Sequence, residues 1–476
     1  MLCHFCLIYL QTNFSMSLPH DFITLMQHQL GEAEADALCR ALTDTAPCTS
    51  IRTNPAKRPQ ALPAEAGERV PWCKEGVYLK ERPVFTTDPL LHAGCYYVQE
   101  AASMFVEQAY RTICTDFTPQ RVLDLCAAPG GKSTLWRSLL PDGALLVANE
   151  PIRQRAQVLA ENLTKWGHPD VVCTSAYSDD FRPLSGFFDV VAADVPCSGE
   201  GMFRKDAQAV SEWSMEAVAA CADRQAGIIE GIWPTLREGG YLVYSTCTFN
   251  PQEDELMVRR ICDELGGELV TVPADEAWGI SGDTTGHGLP VCHFMPHRTA
   301  GEGFFLALIR KTAEAPARRA KKAKKGGGAA QRQRPVQNSG KVAPWLAGAR
   351  EFRIMRADEA HLVAVREALV PDVEAVTSTV HCLTAGILLA EEKGKKLIPQ
   401  HALALSTALA PDAFPHAELA REDALRYLRR EAITLAPDVP RGYVVATFKG
   451  HALGFLNNLG TRANNLYPQE WRIRKL

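Results

Sequence analysis

The sequence predicts an α/β protein built on a parallel sheet covered by helices on both faces. Two observations predict it. From Arg121 onward, short apolar runs alternate with amphipathic helical stretches, the pattern of strands buried on both sides of a sheet. The first of those runs ends in a glycine-rich turn and the second in a carboxylate, as at the ligand edge of nucleoside-binding sheets.

Taken in order, residues 22–43 carry helical periodicity, followed by SIRTNPAKRP, where Arg52, Asn54, Lys57 and Arg58 cluster. A strand is expected at Tyr78, another at 94–98, and a helix over 99–112. Strand one of the central unit is 122–125, followed by a helix at 133–140. Strand two is 144–149, and its helix, 151–166, has Pro151 in the first turn. Strands follow at 171–174 and 188–193. A helix over 215–237 leads to a strand at 240–245, a helix at 253–265 and a last apolar strand at 304–310. After a break, 383–389 and 442–448 read as strands, with Gly450, Gly454 and Gly460 marking turns.

The 476 residues are 46% hydrophobic and 22% charged, an ordinary globular balance with room for two to four domains. Fifteen scattered cysteines fit a reducing compartment better than a disulfide scaffold. Apolar runs fall short of a membrane span. The net charge of −4 conceals an asymmetry: residues 313–341 hold nine basic side chains against Glu314, a local +8 that leaves −12 on the rest. That stretch cannot bury an apolar face and is expected to be a flexible basic linker. Residues 1–15 lack the basic start and cleavage site of a signal peptide and are expected to be an extension or a mis-called start ahead of Met16. Cys3 and Cys6 have CxxC spacing, but no second pair follows at zinc-site spacing, and no metal is expected.

The turn after strand one, DLCAAPGGKST (124–134), lets backbone approach a ligand at Gly130 and Gly131 and offers the unpaired N–H groups of a helix start. It fails as a phosphate-binding P-loop, because Cys126 stands where the first glycine belongs, and this excludes an ATPase of that kind. Glu150, ending strand two, suits the two ribose hydroxyls of a nucleoside; alternatively it is an acid favoured at a helix start. The glycine-rich loop upstream favours the ribose role. A dinucleotide fingerprint is absent, so a nucleoside without phosphates fits better, S-adenosyl-L-methionine being the common one.

Strand four leads into DVPCSG (194–199) and strand five into STCT (245–248). Both ends face the ligand crevice of an open sheet. Two thiols, Cys197 and Cys247, and the Asp194 carboxylate therefore converge beside the nucleoside site. Cytosine C5 is a poor nucleophile until a thiolate adds to C6. Such a thiol, ordinarily near pKa ~8.5, needs a positive neighbour, for which Lys132 and Lys205 are candidates. Asp194 can hydrogen-bond the N3/N4 edge of the base.

The blocks YVQEAASM (97–104), DLCAAPGGK (124–132), DVPCSGEGMFRK (194–205), STCTFNPQEDE (245–255) and PHRTAGEGFF (296–305) together resemble the Sun-type (Nop2/Sun) RNA cytosine-5 methyltransferases, and among them the bacterial RsmF-like 16S rRNA group. The resemblance implies a Rossmann-like seven-stranded S-adenosylmethionine-dependent methyltransferase domain with an N-terminal α+β extension and a C-terminal PUA-like RNA-binding region. Its expected divisions are 16–115 (N-terminal), 116–312 (catalytic), 313–341 (linker) and 342–476 (C-terminal). It implies Cys247 as nucleophile and Cys197 as the cysteine assisting product release. Cys126, Ala127, Ala128, Pro129, Gly130, Gly131, Lys132, Glu150 and Asp194 map to the cofactor site. The acidic residue usual after strand three is replaced by Ala176, with Asp179 and Asp180 as possible substitutes.

RNA contacts are expected from Arg52 (with Lys57 and Arg58), Arg204, Lys205, Arg462 and Arg472, with Tyr467 and Trp471 available to stack on bases. The expected substrate is 16S rRNA or the 30S particle, met by a cytoplasmic monomer. A transfer-RNA substrate and a catalytically idle RNA-binding or assembly factor are the alternatives.

Overall fold

The computed structural model describes residues 17–312 and 336–474. The expected extension at 1–15 and the linker up to 335 lie outside the described residues.

The N-terminal part begins with helices His20–Leu30 and Glu32–Asp44, where one continuous helix was expected. Gly31, at φ +83°, takes a conformation that L side chains resist, and this ends the first helix. The pair packs Phe22 edge-on against Phe203 and Trp213, tying it to the loop that follows Cys197. Strands β1 (Thr49–Thr53), β2 (Ala66–Arg69), β3 (Gly76–Leu79) and β4 (Tyr96–Val98) form a small sheet in the order β2-β3-β1-β4.

The central sheet holds β5 (Arg121–Asp124), β6 (Leu145–Asn149), β7 (Val171–Thr174), β8 (Phe188–Asp194), β9 (Leu236–Thr246), β10 (Gly267–Val270), β11 (Cys292–Phe294) and β12 (Phe304–Lys311). Its path β10-β12-β9-β8-β5-β6-β7 is the expected seven strands. The run β7-β6-β5-β8-β9 is parallel, while β12 is antiparallel to β9. Two strands go beyond expectation: β11 pairs with β12, and β15 (Cys382–Ala385), from the C-terminal region, extends the edge at β7. Helices Gly131–Leu139, Arg153–Trp166, Met215–Ile232 and Glu255–Leu265 cover the faces. The third of these stops before the expected 237, because Pro234 sits in a tight turn and Leu236 already opens β9. Chain order reverses between β6-β5 and β8-β9, so the crevice lies above the carboxyl ends of β5 and β8.

Beyond Val336, β13 (Phe352–Arg356), β14 (His361–Arg366), β16 (Ile387–Lys393) and β17 (Lys396–Pro399) form one sheet, and β18 (His416–Glu418), β19 (Gly442–Phe448), β20 (His451–Asn458) and β21 (Ala463–Asn465) another. The expected strand 383–389 is therefore two strands in different sheets. Gly386 separates them at φ +66°, where a Cβ would stand 2.2 Å from the Ala364 carbonyl oxygen. The last sheet shares a core with the N-terminal one: Ile51, Leu79 and Tyr96 pack with Tyr427, Leu456 and Tyr467. Among the described residues, no helix is long and apolar enough to cross a membrane.

Candidate active site

The loop after β5 is held from three sides. Ala127 N–H donates to the Asn149 carbonyl (2.8 Å), Asn162 Nδ2 to the Pro129 carbonyl (2.8 Å) and Arg155 to the Ala128 carbonyl (3.2 Å). Gly130 sits at φ +114°, and a Cβ there would meet the Leu159 and Asn162 side chains at 3.3–3.4 Å. This turn releases helix Gly131–Leu139, whose first N–H groups have no side-chain cap. Ser133 bonds one oxygen of the buried Asp124 (2.6 Å) and leaves Oδ1 unpartnered. Burial pushes the Asp124 carboxyl up to about 7.

Glu150 is buried at the end of β6. Its Oε1 accepts the Ile152 N–H (3.0 Å), and Arg155 lies 3.4 Å from Oε2. The helix-start role foreseen as an alternative is therefore present, and lone pairs remain for ribose hydroxyls. At the end of β7, Ala176 is buried, its N–H and carbonyl both bound to the Asn149 amide. Neither nearby acid takes over the missing position. Asp180 accepts the Tyr177 N–H (2.9 Å), and Asp179 pairs with Arg182 (3.0 Å). A glycine-lined turn, a buried carboxylate with spare acceptor capacity and an orphaned Asp124 oxygen fit S-adenosylmethionine, which Cys126–Lys132, Glu150 and Asp194 could hold.

Across the crevice, Cys197 follows β8 and Cys247 follows β9, and their sulfurs stand 3.2 Å apart. The Cys247 N–H points at Cys197 Sγ (3.4 Å). The hydrogen bond between the thiols, then burial, raises the Cys197 pKa. Lys132 Nζ lies 2.9 Å from Asp194 Oδ2, whose Oδ1 accepts the Ser245 hydroxyl (2.9 Å). Burial opposes the Lys132 charge, but Asp194, with help from Cys247, outweighs it and raises its pKa. The Lys132 side chain thus stays charged, close enough to Cys247 to interact with it. Cys126 is different: burial and the acids around it hold its thiol far above the usual range, so it stays neutral.

Several expected RNA contacts are structural instead. Arg52 is wholly buried. It donates to Gln99 Oε1 (2.8 Å) and Thr134 Oγ1 (2.6 Å) and lies over the Trp166 ring at 4.6 Å. It locks the N-terminal sheet onto the first turn of helix Gly131–Leu139 and cannot reach RNA. Burial lowers its pKa to about 10. Arg52→Met should lower unfolding stability by about 2–4 kcal/mol, because it strands buried acceptors. Chemical denaturation checks this; unchanged stability with weakened RNA binding would restore the RNA role. Lys57 is half-buried, its ammonium bonded to the Ala93 and Lys165 carbonyls (3.1 and 2.6 Å). Arg204, 4% exposed, pairs with Glu302 (2.7 Å) and Thr45 (2.8 Å). Lys205 also pairs with Glu302 (3.2 Å) rather than pointing at a cysteine, but keeps partial exposure. Arg462 and Arg472 are exposed, whereas Tyr467 is core and cannot stack on a base. Among the described residues, one grouping has metal-ligand composition, Asp142, His168 and Asp170, but Arg366 already occupies both Asp170 oxygens at 3.0 Å.

Sequence reasoning missed the polar side chains behind the cysteines. Asn250 and Glu253 lie inside the 245–255 block, whose acidic run was a usable signal. Gln225, mid-helix, gave none.

Sequence and structure comparisons identify the family. The model of the 16S rRNA methyltransferase RsmB/F family matches residues 115–310, that of the RsmF N-terminal domain 18–101, and that of the methyltransferase RsmF PUA domain 414–473. Ribosomal RNA small subunit methyltransferase F of Erwinia tasmaniensis is 32% identical over 416 residues, covering 84% of each chain. The Escherichia coli SE11 protein of the same name is 32% identical over 417 residues, again 84% of each. A methyltransferase homologue from Pyrococcus horikoshii superposes with TM-score 0.50 at 25% identity, covering 62% of this chain and all of that one. NSun6 from Pyrococcus horikoshii, solved with SFG, gives TM-score 0.53 at 19% identity over 63% of this chain and all of its own, a likeness of fold. The chain belongs to the RsmB/F family of S-adenosylmethionine-dependent methyltransferases.

Proposed function

We propose that this enzyme methylates C5 of a cytosine in 16S rRNA through a transient covalent bond from Cys247 Sγ to C6. The observation that carries this is the pair of sulfurs 3.2 Å apart above adjacent strand ends, beside the Lys132–Asp194 pair at 2.9 Å. The ribosomal substrate follows the names of the relatives.

The target base leaves its stack to enter the crevice, at a cost of a few kcal/mol, roughly, which unpaired RNA reduces. Exposed Arg462 and Arg472, with Lys205 nearer the site, supply phosphate contacts. Cys247, as thiolate beside the Lys132 ammonium, adds to C6, and the electron pair of the C5=C6 bond makes C5 nucleophilic. Asp194 orients the base by its N3/N4 edge and stabilises the charge that develops there. Bound S-adenosylmethionine supplies the methyl group to C5. The C5 proton then leaves to solvent water, its C–H electron pair reforms the C5=C6 double bond, and the C6–S electron pair returns to Cys247 Sγ. The Cys197 S–H, 3.2 Å away, hydrogen-bonds to that departing sulfur. The setting is a bacterial cytoplasm.

Bisulfite sequencing of total RNA from a deletion strain tests the substrate. One 16S cytosine should change from protected to converted, and a plasmid copy should restore it. Intact 16S protection with a lost transfer-RNA signal would transfer the activity to tRNA.

A further inference from the structure

Behind the two cysteines lies a buried polar network that none of these steps uses. Gln225, from helix Met215–Ile232, is wholly buried. Its Nε2 donates to the Pro196 carbonyl (3.1 Å) and to Glu253 Oε2 (2.7 Å), and its Oε1 accepts the Tyr244 hydroxyl (3.0 Å). The Glu253 carboxylate also accepts the Ser198 N–H (3.0 Å) and Asn250 Nδ2 (2.8 Å). Pro196 and Ser198 are the residues on either side of Cys197. Asn250 Nδ2 reaches on to the Thr248 hydroxyl (2.9 Å), beside Cys247, and Thr248 Oγ1 lies 3.0 Å from Ser198 Oγ.

Burying a carboxylate is costly unless donors converge on it. Among the described residues Glu253 has no ion-pair partner; its acceptors are filled by N–H groups of three different segments. Such a network fixes a geometry more than it adds stability. The geometry fixed is that of Cys197, gripped through both flanking peptide groups while Asn250 grips the Cys247 loop. We propose that Gln225 and Glu253 are positioning residues for Cys197, holding its sulfur against that of Cys247, so that they govern release of methylated RNA rather than attack on the base. This rests on the covalent reading above.

The test uses full-length enzyme, 16S rRNA and S-adenosylmethionine, with Cys197→Ala run in parallel. Gln225→Met keeps the side-chain length but removes its hydrogen bonds, and Glu253→Gln removes the charge at constant volume. For both, a slow-migrating protein–RNA adduct should accumulate on denaturing gels. Multiple-turnover methylation should fall about tenfold or more, while single-turnover methyl transfer stays within about threefold of wild type. A merely structural role would depress both rates together and lower Tm without adduct, which overturns the proposal. An adduct in Cys197→Ala but in neither network variant also overturns it and leaves the covalent reading intact. No adduct in Cys197→Ala itself removes the release step, and this inference with it. A second readout does not depend on turnover: in a Cys247→Ser background, Gln225→Met should change the rate of Cys197 alkylation by iodoacetamide, and an unchanged rate counts against the grip.

Discussion

Replacing Cys247 by alanine should abolish cytosine methylation, with a fall of ~10⁴-fold or more, because no other group can make C5 nucleophilic. The neighbouring thiols cannot take over. With Cys247 gone, burial and the charge of Glu253 still disfavour the Cys197 thiolate. Cys126 is half-buried, and desolvation and the acids around it disfavour its thiolate. The measurement is transfer of labelled methyl to 16S rRNA, with calorimetry on S-adenosylhomocysteine to show that the cofactor site survives. Binding should be unchanged, since the proposed cofactor site, the 126–132 loop with Glu150, does not include Cys247. Retained cytosine-C5 product would remove Cys247 from the attack.

Asp194→Asn should be nearly as damaging, at about 10²–10³-fold in kcat. The carboxylate does two things at once: it holds the Lys132 ammonium at 2.9 Å and presents an acceptor to the crevice. The amide keeps the shape and can still accept the Ser245 hydroxyl, so the fold should hold. The charge that anchors Lys132 and the negative acceptor for the base edge are both lost. The Lys132 pKa, raised by Asp194 against the pull of burial, should drop, and the alkaline limb of the rate profile should move to lower pH. A variant with normal kcat and an unmoved profile would place Asp194 outside the chemistry.

The catalytic sheet was legible because its strands are apolar runs buried on both faces, which leave an unambiguous periodic trace. The convergence of Cys197, Cys247 and Asp194 was legible for a topological reason: strand ends at a switch point meet wherever the intervening helices run. Two glycines show what periodicity cannot see. Gly31 and Gly386 sit inside apolar patterns, and only their positive φ and the close approach at Ala364 reveal a break. Arg52 and Arg204 were misread because a charged side chain among polar neighbours in sequence looks solvated. Their partners, Gln99, Thr134 and Glu302, come from distant segments, and burial depends on those. Tyr467 failed in the same way, since its ring fills a core shared by the first and last sheets. The strand lent by Cys382–Ala385 to β7 was equally hidden, as nothing local tells which sheet a short strand joins. It brings the C-terminal region against the end of β7 beside Ala176, where the Ser175 N–H donates to the His381 carbonyl (2.9 Å).

Incubating the enzyme and S-adenosylmethionine with 16S rRNA that carries 5-fluorocytidine tests the central chemistry most directly. Fluorine at C5 leaves no proton to expel after methyl transfer, so the enzyme should remain joined to the RNA. Digestion and mass spectrometry should then find the methylated fluoropyrimidine on the peptide containing Cys247. Attachment at Cys197 alone, or complete methylation with no covalent species, would contradict the account.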